Sequence, residues 1–199
     1  MNNRKLLLYL HARSLLIIIK YFGKDDIKDK YWTRGVKMRT ANIENRSAYT
    51  SRNLWSGFLF GLGFVTFFDE VVFHQLLHWH HFYDKSTTSM GLISDGLFHA
   101  FSWFATIGGL FMLADLRRRN ALWVTMWWGG TFLGAGTFQL YDGIVQHKIM
   151  RIHQIRYVEN VIIYDIIWNV IALALIVIGA ILVKRARQTF VEVNSNEQS

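Results

Sequence analysis

The chain has no cysteine and no proline, and beyond residue 53 it has no excess of charge of either sign. Without cysteine it can form no disulfide, no thiolate metal site and no thiol nucleophile, which leaves His, Asp, Glu and Met as potential metal ligands. Residues 1–53 carry 12 Lys and Arg against four Asp and Glu, whereas residues 54–199 carry ten of each. Because nucleic-acid binding requires a basic folded surface, this distribution argues against a nucleic-acid partner.

Apolar sequence is abundant: 52% of the residues are hydrophobic and 16% are aromatic. Four long apolar segments cover about residues 54–77, 92–113, 121–145 and 158–183. About 20 helical residues cross a hydrocarbon core of about 30 Å, so each segment is long enough to span a bilayer. A soluble four-helix bundle would need a polar stripe on every helix, but residues 171–183 are apolar all round. The sequence therefore predicts an all-α integral membrane protein.

The basic residues between the segments predict its orientation. Arginines 117–119 join the second and third segments, three more basic residues follow the fourth, and the basic N-terminal region precedes the first. Since cytoplasmic loops are enriched in Lys and Arg, we expect both termini to be cytoplasmic. The predicted organisation is a basic cytoplasmic N-terminal tail, partly disordered or an interfacial helix, a four-span domain and a polar C-terminal tail. Their boundaries are residues 1–53, 54–187 and 188–199.

The N-terminal residues 1–20 contain two short apolar runs that we interpret as part of this tail rather than as a signal peptide. His11 and Arg13 interrupt the apolar sequence, and no small-residue cleavage site follows it. A start at Met38 is the alternative, because residues 1–53 differ in character from the rest of the chain.

The apolar domain contains an internal repeat with an offset of 73 residues. The residues that recur are Asp69, His74 and His80 in the first copy and Asp142, His147 and His153 in the second. The segments that follow show a looser match, with Asp95 and His99 corresponding to Asp165 and Asn169. This pattern predicts a four-helix bundle built from two repeated helical hairpins, related by a pseudo-two-fold axis along the membrane normal.

The repeat and the topology together place the ionisable side chains in the outer half of the membrane. Ionisable groups are costly there and mark functional sites by default. Pairs spaced i, i+4 on a helix share a face and can chelate one ion, and imidazole and carboxylate ligands suit Zn or Fe. The predicted metal ligands are His74, His78, His80, Asp95, His99, His147 and His153.

Four further residues are predicted to orient these ligands: Asp69, Asp142, Asp165 and Asn169. For the three Asp residues, direct binding of the ion is the alternative. Asp69 and Asp142 each precede a His by five residues, which is roughly 140° around an α-helix. We therefore expect each to contact a His of a neighbouring helix rather than its own. Glu70 has only Gly143 at its counterpart position, so it is a candidate catalytic acid or base, with a surface carboxylate as the alternative.

Three motifs carry a resemblance to a known family. They are Phe68-Asp69-x4-His74-Gln, Asp95-Gly-Leu-Phe-His99 and Tyr141-Asp142-Gly-Ile-Val-x-His147, and they occur in order between about residues 52 and 188. In these motifs the chain resembles an uncharacterised bacterial family of predicted four-span membrane proteins, catalogued as domain of unknown function 2243. The resemblance implies a multipass protein of the inner membrane, and it brings no activity, cofactor or catalytic residue.

These observations leave several functions open. The first is a metal-binding membrane protein acting as a metal-dependent enzyme at the bilayer surface. One alternative is haem or copper handling, or assembly of a respiratory complex, because helical bundles hold haem between facing imidazoles. Another is an ion or small-solute transporter, and the last is a purely structural role for the polar groups. The lipid bilayer is the one partner expected, and a homo-oligomer or a membrane-complex partner stays open.

Overall fold

The computed structural model describes residues 48–197, and all the regular structure within them is helical, which confirms the predicted all-α class. The elements in chain order are α1 (Thr50–Asp69), a π-helical segment π1 (Glu70–Leu76), α2 (Thr88–Arg118), α3 (Val124–Tyr141), a second π-helical segment π2 (Asp142–Met150) and α4 (Ile162–Glu197). The predicted N-terminal tail, with its alternative start, lies outside the described residues up to residue 47.

Helices α1 and α2 begin four residues before the apolar segments that predict them, whereas α3 and α4 begin three and four residues after theirs. Helix α2 begins four residues before the predicted span, because the side chain of Thr87 accepts a hydrogen bond from the backbone N–H of Met90 at 3.4 Å. This N-cap satisfies a backbone donor that the first helical turn leaves unpaired. The cap therefore sets the start of α2, whereas the apolar composition marks only the part of the helix that suits lipid.

Three helical stretches of the described chain are long and apolar enough to cross a membrane: Thr50–Leu76, Thr88–Arg118 and Ile162–Thr189. The last stretch is the least buried: 11% of its most apolar 18 residues are buried inside the protein, against 39% for the first stretch. Its outward side chains are largely isoleucine, leucine and valine, which suit contact with acyl chains. The third predicted span forms α3 and π2, where five glycines lower the apolar content.

Helices α1 and α3 form the centre of the fold and approach each other through glycine. A Cβ built on Gly57 or Gly61 would overlap a backbone carbonyl oxygen of α3. In the same way, a Cβ on Gly130 or Gly134 would overlap a carbonyl oxygen of α1. Membrane helices associate through such small residues, because close backbone contact replaces the hydrophobic driving force that lipid does not provide.

The outer helices pack on this central pair, α2 against α1 and α4 against α3. Gly63 of α1 meets the backbone of α2 at Ser102, and Gly136 of α3 meets the backbone of α4 at Ala172. The helices therefore lie in the spatial order α2, α1, α3, α4. In this arrangement the two π-helical segments, at the ends of α1 and α3, bring the predicted site residues to the middle of the row.

Candidate metal centre

Each central helix changes to π-helical geometry where its acidic and imidazole side chains begin. Both π-helical segments are followed by a residue with left-handed backbone, His78 with φ 50° and Arg151 with φ 52°. The chain then turns back, and the N–H of Trp79 donates to the carbonyl of Phe73 at 2.9 Å. This reversal returns the residues beyond the helix end, including His80 and His153, to the side of the helix that carries the carboxylates.

The π-helical geometry also aligns each Asp with the His five residues later. Oδ2 of Asp142 lies 3.1 Å from Nε2 of His147, and Oδ2 of Asp69 lies 3.8 Å from Nε2 of His74. The expectation that each Asp would point away from its own His is therefore wrong, because it assumed α-helical geometry. Hydrogen bonds from i to i+5 widen the turn, so residues five apart lie near one face.

Four imidazoles meet in one buried cluster, which we call the imidazole cluster: His74, His80, His147 and His153. Each is at most 5% exposed. The rings of His80 and His153 are parallel, with centroids 4.6 Å apart, and His74 and His147 contact this pair from either side with centroids 4.4 Å and 4.7 Å away. One potential ligand atom from each of His80, His147 and His153 lies within 4.8 Å of the other two.

Hydrogen bonds to the outer nitrogens orient these rings. Nδ1 of His80 donates to the carbonyl of Ile155 at 3.0 Å, and Nδ1 of His153 donates to the carbonyl of Phe82 at 2.8 Å. Since a carbonyl can only accept, both rings carry their proton on Nδ1 and leave a lone pair on Nε2. Both Nε2 atoms are buried and lack a hydrogen-bond partner among the described residues. Outer hydrogen bonds of this kind fix the tautomer of metal-binding imidazoles.

Electrostatics keeps the central imidazole neutral. Burial, followed by the proximity of His153 and His74, lowers the pKa of His80 to about 2. A neutral imidazole is the form that binds metal, because protonation would occupy the lone pair of the ligand nitrogen. His80 is therefore prepared to act as a ligand without first losing a proton.

The first half of the cluster is surrounded by two further carboxylates. Asp95 accepts from the N–H of Phe82 at 2.7 Å and lies 2.7 Å from Nδ1 of His81 and 3.1 Å from Nδ1 of His74. Glu70 is 1% exposed, so the alternative of a surface carboxylate is wrong. It lies 2.9 Å from Nδ1 of His74. Asp95 and Glu70 thus hold the outer nitrogen of His74.

The second half has a different outer layer. Asp165 forms an ion pair with Lys148 and lies 4.0 Å from Nδ1 of His147. Asn169 occupies the space beside Gly143, where a Cβ would lie 2.8 Å from its Oδ1. The contacts of Lys148 and His81 were not anticipated from the sequence. Neither residue is among the predicted site residues.

Two of the predicted ligands lie apart from the cluster. His78 is exposed at the turn after π1, and His99 is partly buried with its ring 5.4 Å from that of Phe67. Neither belongs to the groups of three potential ligands found within residues 48–197. Asp95 does belong to such a group, with Glu70 and His74. The ligand roles of His78 and His99 stay predictions.

Comparison with known proteins identifies the family and goes no further. The model of a family described as predicted membrane protein (DUF2243) matches residues 56–186, well over half of the chain and including both halves of the imidazole cluster. No curated protein matches the chain, and no solved structure matches it either. The match confirms the resemblance drawn from the three motifs: the chain belongs to this family of predicted membrane proteins of unknown function.

Proposed function

We propose that this protein is a metal-binding multipass membrane protein whose ion is held by His80, His147 and His153, with Asp142 beside them. One observation carries the proposal: buried imidazoles converge while the outer nitrogens of His80 and His153 are committed to backbone carbonyls. Buried polar atoms normally have hydrogen-bond partners, so several unpaired ligand nitrogens in one place support a cation-binding site. Imidazole with carboxylate favours Zn or Fe.

We further propose that the centre lies between two repeated hairpins of a four-span bundle, α1–α2 and α3–α4. Reciprocal contacts support this. His80 donates to residue 155 and His153 donates to residue 82, and both pairs of positions are 73 residues apart. The glycines at the α1–α3 contact have the same offset. Helix α3 with π2 covers 27 residues, the length of α1 with π1, which is enough to cross a bilayer.

The charges support an orientation with the cluster near the outer surface. Asp115, near the far end of α2, pairs with Arg52 at 2.8 Å, Arg118 at 2.6 Å and Arg119 at 2.8 Å. Arginines gathered at this end, opposite the imidazole cluster along α1, favour a cytoplasmic location for it. Both termini would then be cytoplasmic in the inner membrane.

The geometry favours a metal-dependent enzyme over the alternatives. The parallel rings of His80 and His153, with centroids 4.6 Å apart, leave no room for a porphyrin between them, which argues against haem at this pair. Polar side chains farther along the helices serve helix contacts, as when Ser56 donates to the carbonyl of Gly109 at 2.9 Å, which disfavours a transport path. Bound metal would supply Lewis acidity or redox chemistry, and buried Glu70 is the nearby candidate for proton transfer.

Elemental analysis and an optical absorption spectrum of the detergent-purified protein test the proposal. After expression with ample metal, we expect stoichiometric Zn or Fe that is lost in the His74→Ala, His147→Ala double variant and retained in His99→Ala. A Soret band would instead indicate haem and support the handling or assembly role. A correctly folded protein that contains no metal under these conditions would refute the metal centre.

A further inference from the structure

A cleft beside the imidazole cluster opens towards the lipid-facing surface. It has a volume of about 540 Å³ and lies where α2 and α3 flank α1. Its mouth is formed by Leu97, Phe101 and Tyr141, which are 70%, 53% and 49% exposed. Because Leu97 and Phe101 lie on α2, which is long and apolar enough to cross a membrane, we take the mouth of the cleft to face the bilayer interior rather than water.

The inner end of the cleft reaches the imidazole cluster. Phe82 lines the cleft, and its carbonyl accepts the hydrogen bond that orients His153. Gln146 also lines the cleft, directly before His147 in the chain. A ligand extending to this end would therefore place its terminal group next to the residues that hold the proposed ion.

One polar atom at the inner end has no partner in the described part of the chain. Gln146 is 4% exposed, and its Oε1 is buried without a hydrogen bond. A buried acceptor in an apolar cleft is costly unless a donor reaches it. Since the remaining lining is almost entirely apolar, a single hydroxyl group at the end of a hydrocarbon chain fits this arrangement of one acceptor and a long apolar wall.

The corresponding place on the other side of the molecule, between π1 and α4, is filled with aromatic rings. The residues at the positions of Gln146 and Phe98 are Phe73 and Trp168, whose rings are 5.6 Å apart in an edge-on contact. The indole of Trp168 donates to the carbonyl of Gln139 at 2.9 Å, which fixes it there. Within residues 48–197 the side of α2 and α3 is thus open and the corresponding side of α4 is filled, whereas annular lipid would contact both sides alike.

We propose that this cleft binds one long-chain lipid alcohol, with its chain between α2 and α3 and its hydroxyl donating to Oε1 of Gln146. The lipid-facing mouth, the apolar walls and the single unpaired acceptor together select this ligand class. The inference deepens the proposed function, on which it rests for the fate of the hydroxyl at the metal centre. Binding in the cleft depends on Gln146 and the apolar walls alone.

Photo-crosslinking tests the proposal with the full chain in phosphatidylcholine nanodiscs. The probe is a long-chain primary alcohol with a diazirine in its chain, and adducts are mapped by mass spectrometry. We expect adducts on α2 and α3 around Leu97, Phe101 and Tyr141, which unlabelled long-chain alcohol suppresses. Leu97→Trp should abolish them, and Ile167→Trp, the matched change at the equivalent exposed position of α4, should leave them unchanged.

A second variant tests the proposed hydrogen bond between the hydroxyl group of the alcohol and Gln146. Gln146→Leu should weaken competition by the alcohol about fivefold, the effect of losing one hydrogen bond, without changing competition by the alkane of equal length. Adducts spread equally over the α2–α3 side and the corresponding side of α4, or insensitive to Leu97→Trp, would overturn the proposal in favour of annular lipid. The absence of adducts would overturn it as well. Metal content, measured on the same samples, reports separately on the proposed metal centre. Adducts without bound metal would refute only the metal centre. Bound metal without adducts would refute only the lipid site.

Discussion

The two halves of the imidazole cluster share their inner residues and differ in the outer layer. Each contributes one Asp and two His at the same spacing, from the end of a central helix, its π-helical segment and the turn after it. Around the first half, Asp95 is held by two imidazoles and a backbone N–H, and Glu70 is buried beside it. Around the second, Asp165 is paired with Lys148, and Gly143 stands where Glu70 would be.

This difference separates two tasks. The shared inner residues suit an ion that needs ligands from both sides, whereas the outer layers set the charge around it. The first half holds its carboxylates with imidazoles, whereas the second half holds its carboxylate with the fixed charge of the Lys148 ammonium group.

The largest effect should come from removing an inner imidazole of either half. His80→Ala and His153→Ala should each reduce metal affinity by more than the roughly 10- to 100-fold that loss of an outer hydrogen-bond partner costs. Metal titration of the purified variants measures this, with His78→Ala as the exposed control that should bind as the unaltered protein does. Retention of full affinity by one of the two variants would show that the halves do not contribute equally.

The second largest effect should come from substitutions at the contact between α1 and α3. Gly61→Ala and Gly134→Ala each insert a methyl group against a backbone carbonyl, and overpacking of this kind costs roughly 1–3 kcal/mol. Thermal unfolding in detergent should show similar losses for both variants. Gly108→Ala is the matched control, because no atom lies within 4 Å of its Cβ position, and it should be neutral or slightly stabilising. Unequal losses would argue against equivalent packing in the halves.

A smaller effect is expected from the ion pair of the second half. Lys148→Met leaves the buried carboxylate of Asp165 without its cation, and we expect a loss of about 1–2 kcal/mol. This lies between the values for exposed and buried pairs, because the lysine side chain is 41% exposed. Gln75→Met is the equivalent change in the first half, where it removes a hydrogen bond of 2.8 Å from a neutral amide to Glu70 rather than an ion pair, and it should cost less in the same unfolding measurement. The reverse order would contradict the assignment of Lys148 as the fixed charge.

The smallest change should follow Glu70→Gln. Asp95 remains to hold Nδ1 of His74, so we expect metal affinity to fall by less than about tenfold. Asp95→Asn should be more severe, since that carboxylate contacts both His74 and His81. Calorimetric metal titration of the two variants distinguishes them, and an equal or larger loss in Glu70→Gln would make Glu70 a ligand rather than a candidate for proton transfer.

The apolar composition predicts the helices well. Lipid-exposed helices need no polar stripe, so a segment that is apolar on all sides can be recognised from its composition alone. The helical class and three membrane-crossing stretches agree with it. Helix α3 was harder to assess by composition, because its glycines serve contact with its neighbours rather than with lipid. Apolarity does not measure how closely two backbones approach, so the central position of α3 could not be read from it.

Residue spacing located the site but not its internal contacts. The 73-residue repeat selected His80, His147 and His153, which come together in the structure. The pairing of Asp142 with its own His was missed, because the spacing argument assumed 3.6 residues per turn in a segment that is π-helical. The contact of His81 with Asp95 was missed because it depends on the chain reversal after His78. Neither feature has a signature in residue spacing alone.

The paired π-helical segments also bear on the ancestry of the molecule. A π-helical turn holds one more residue than an α-helical turn, so a regular helix acquires it by insertion rather than by substitution. Asp and His accompany both segments at one spacing, with Asp69 directly before the first segment and Asp142 at the start of the second. Descent of the two hairpins from a common ancestor would therefore place the insertion before the gene duplication.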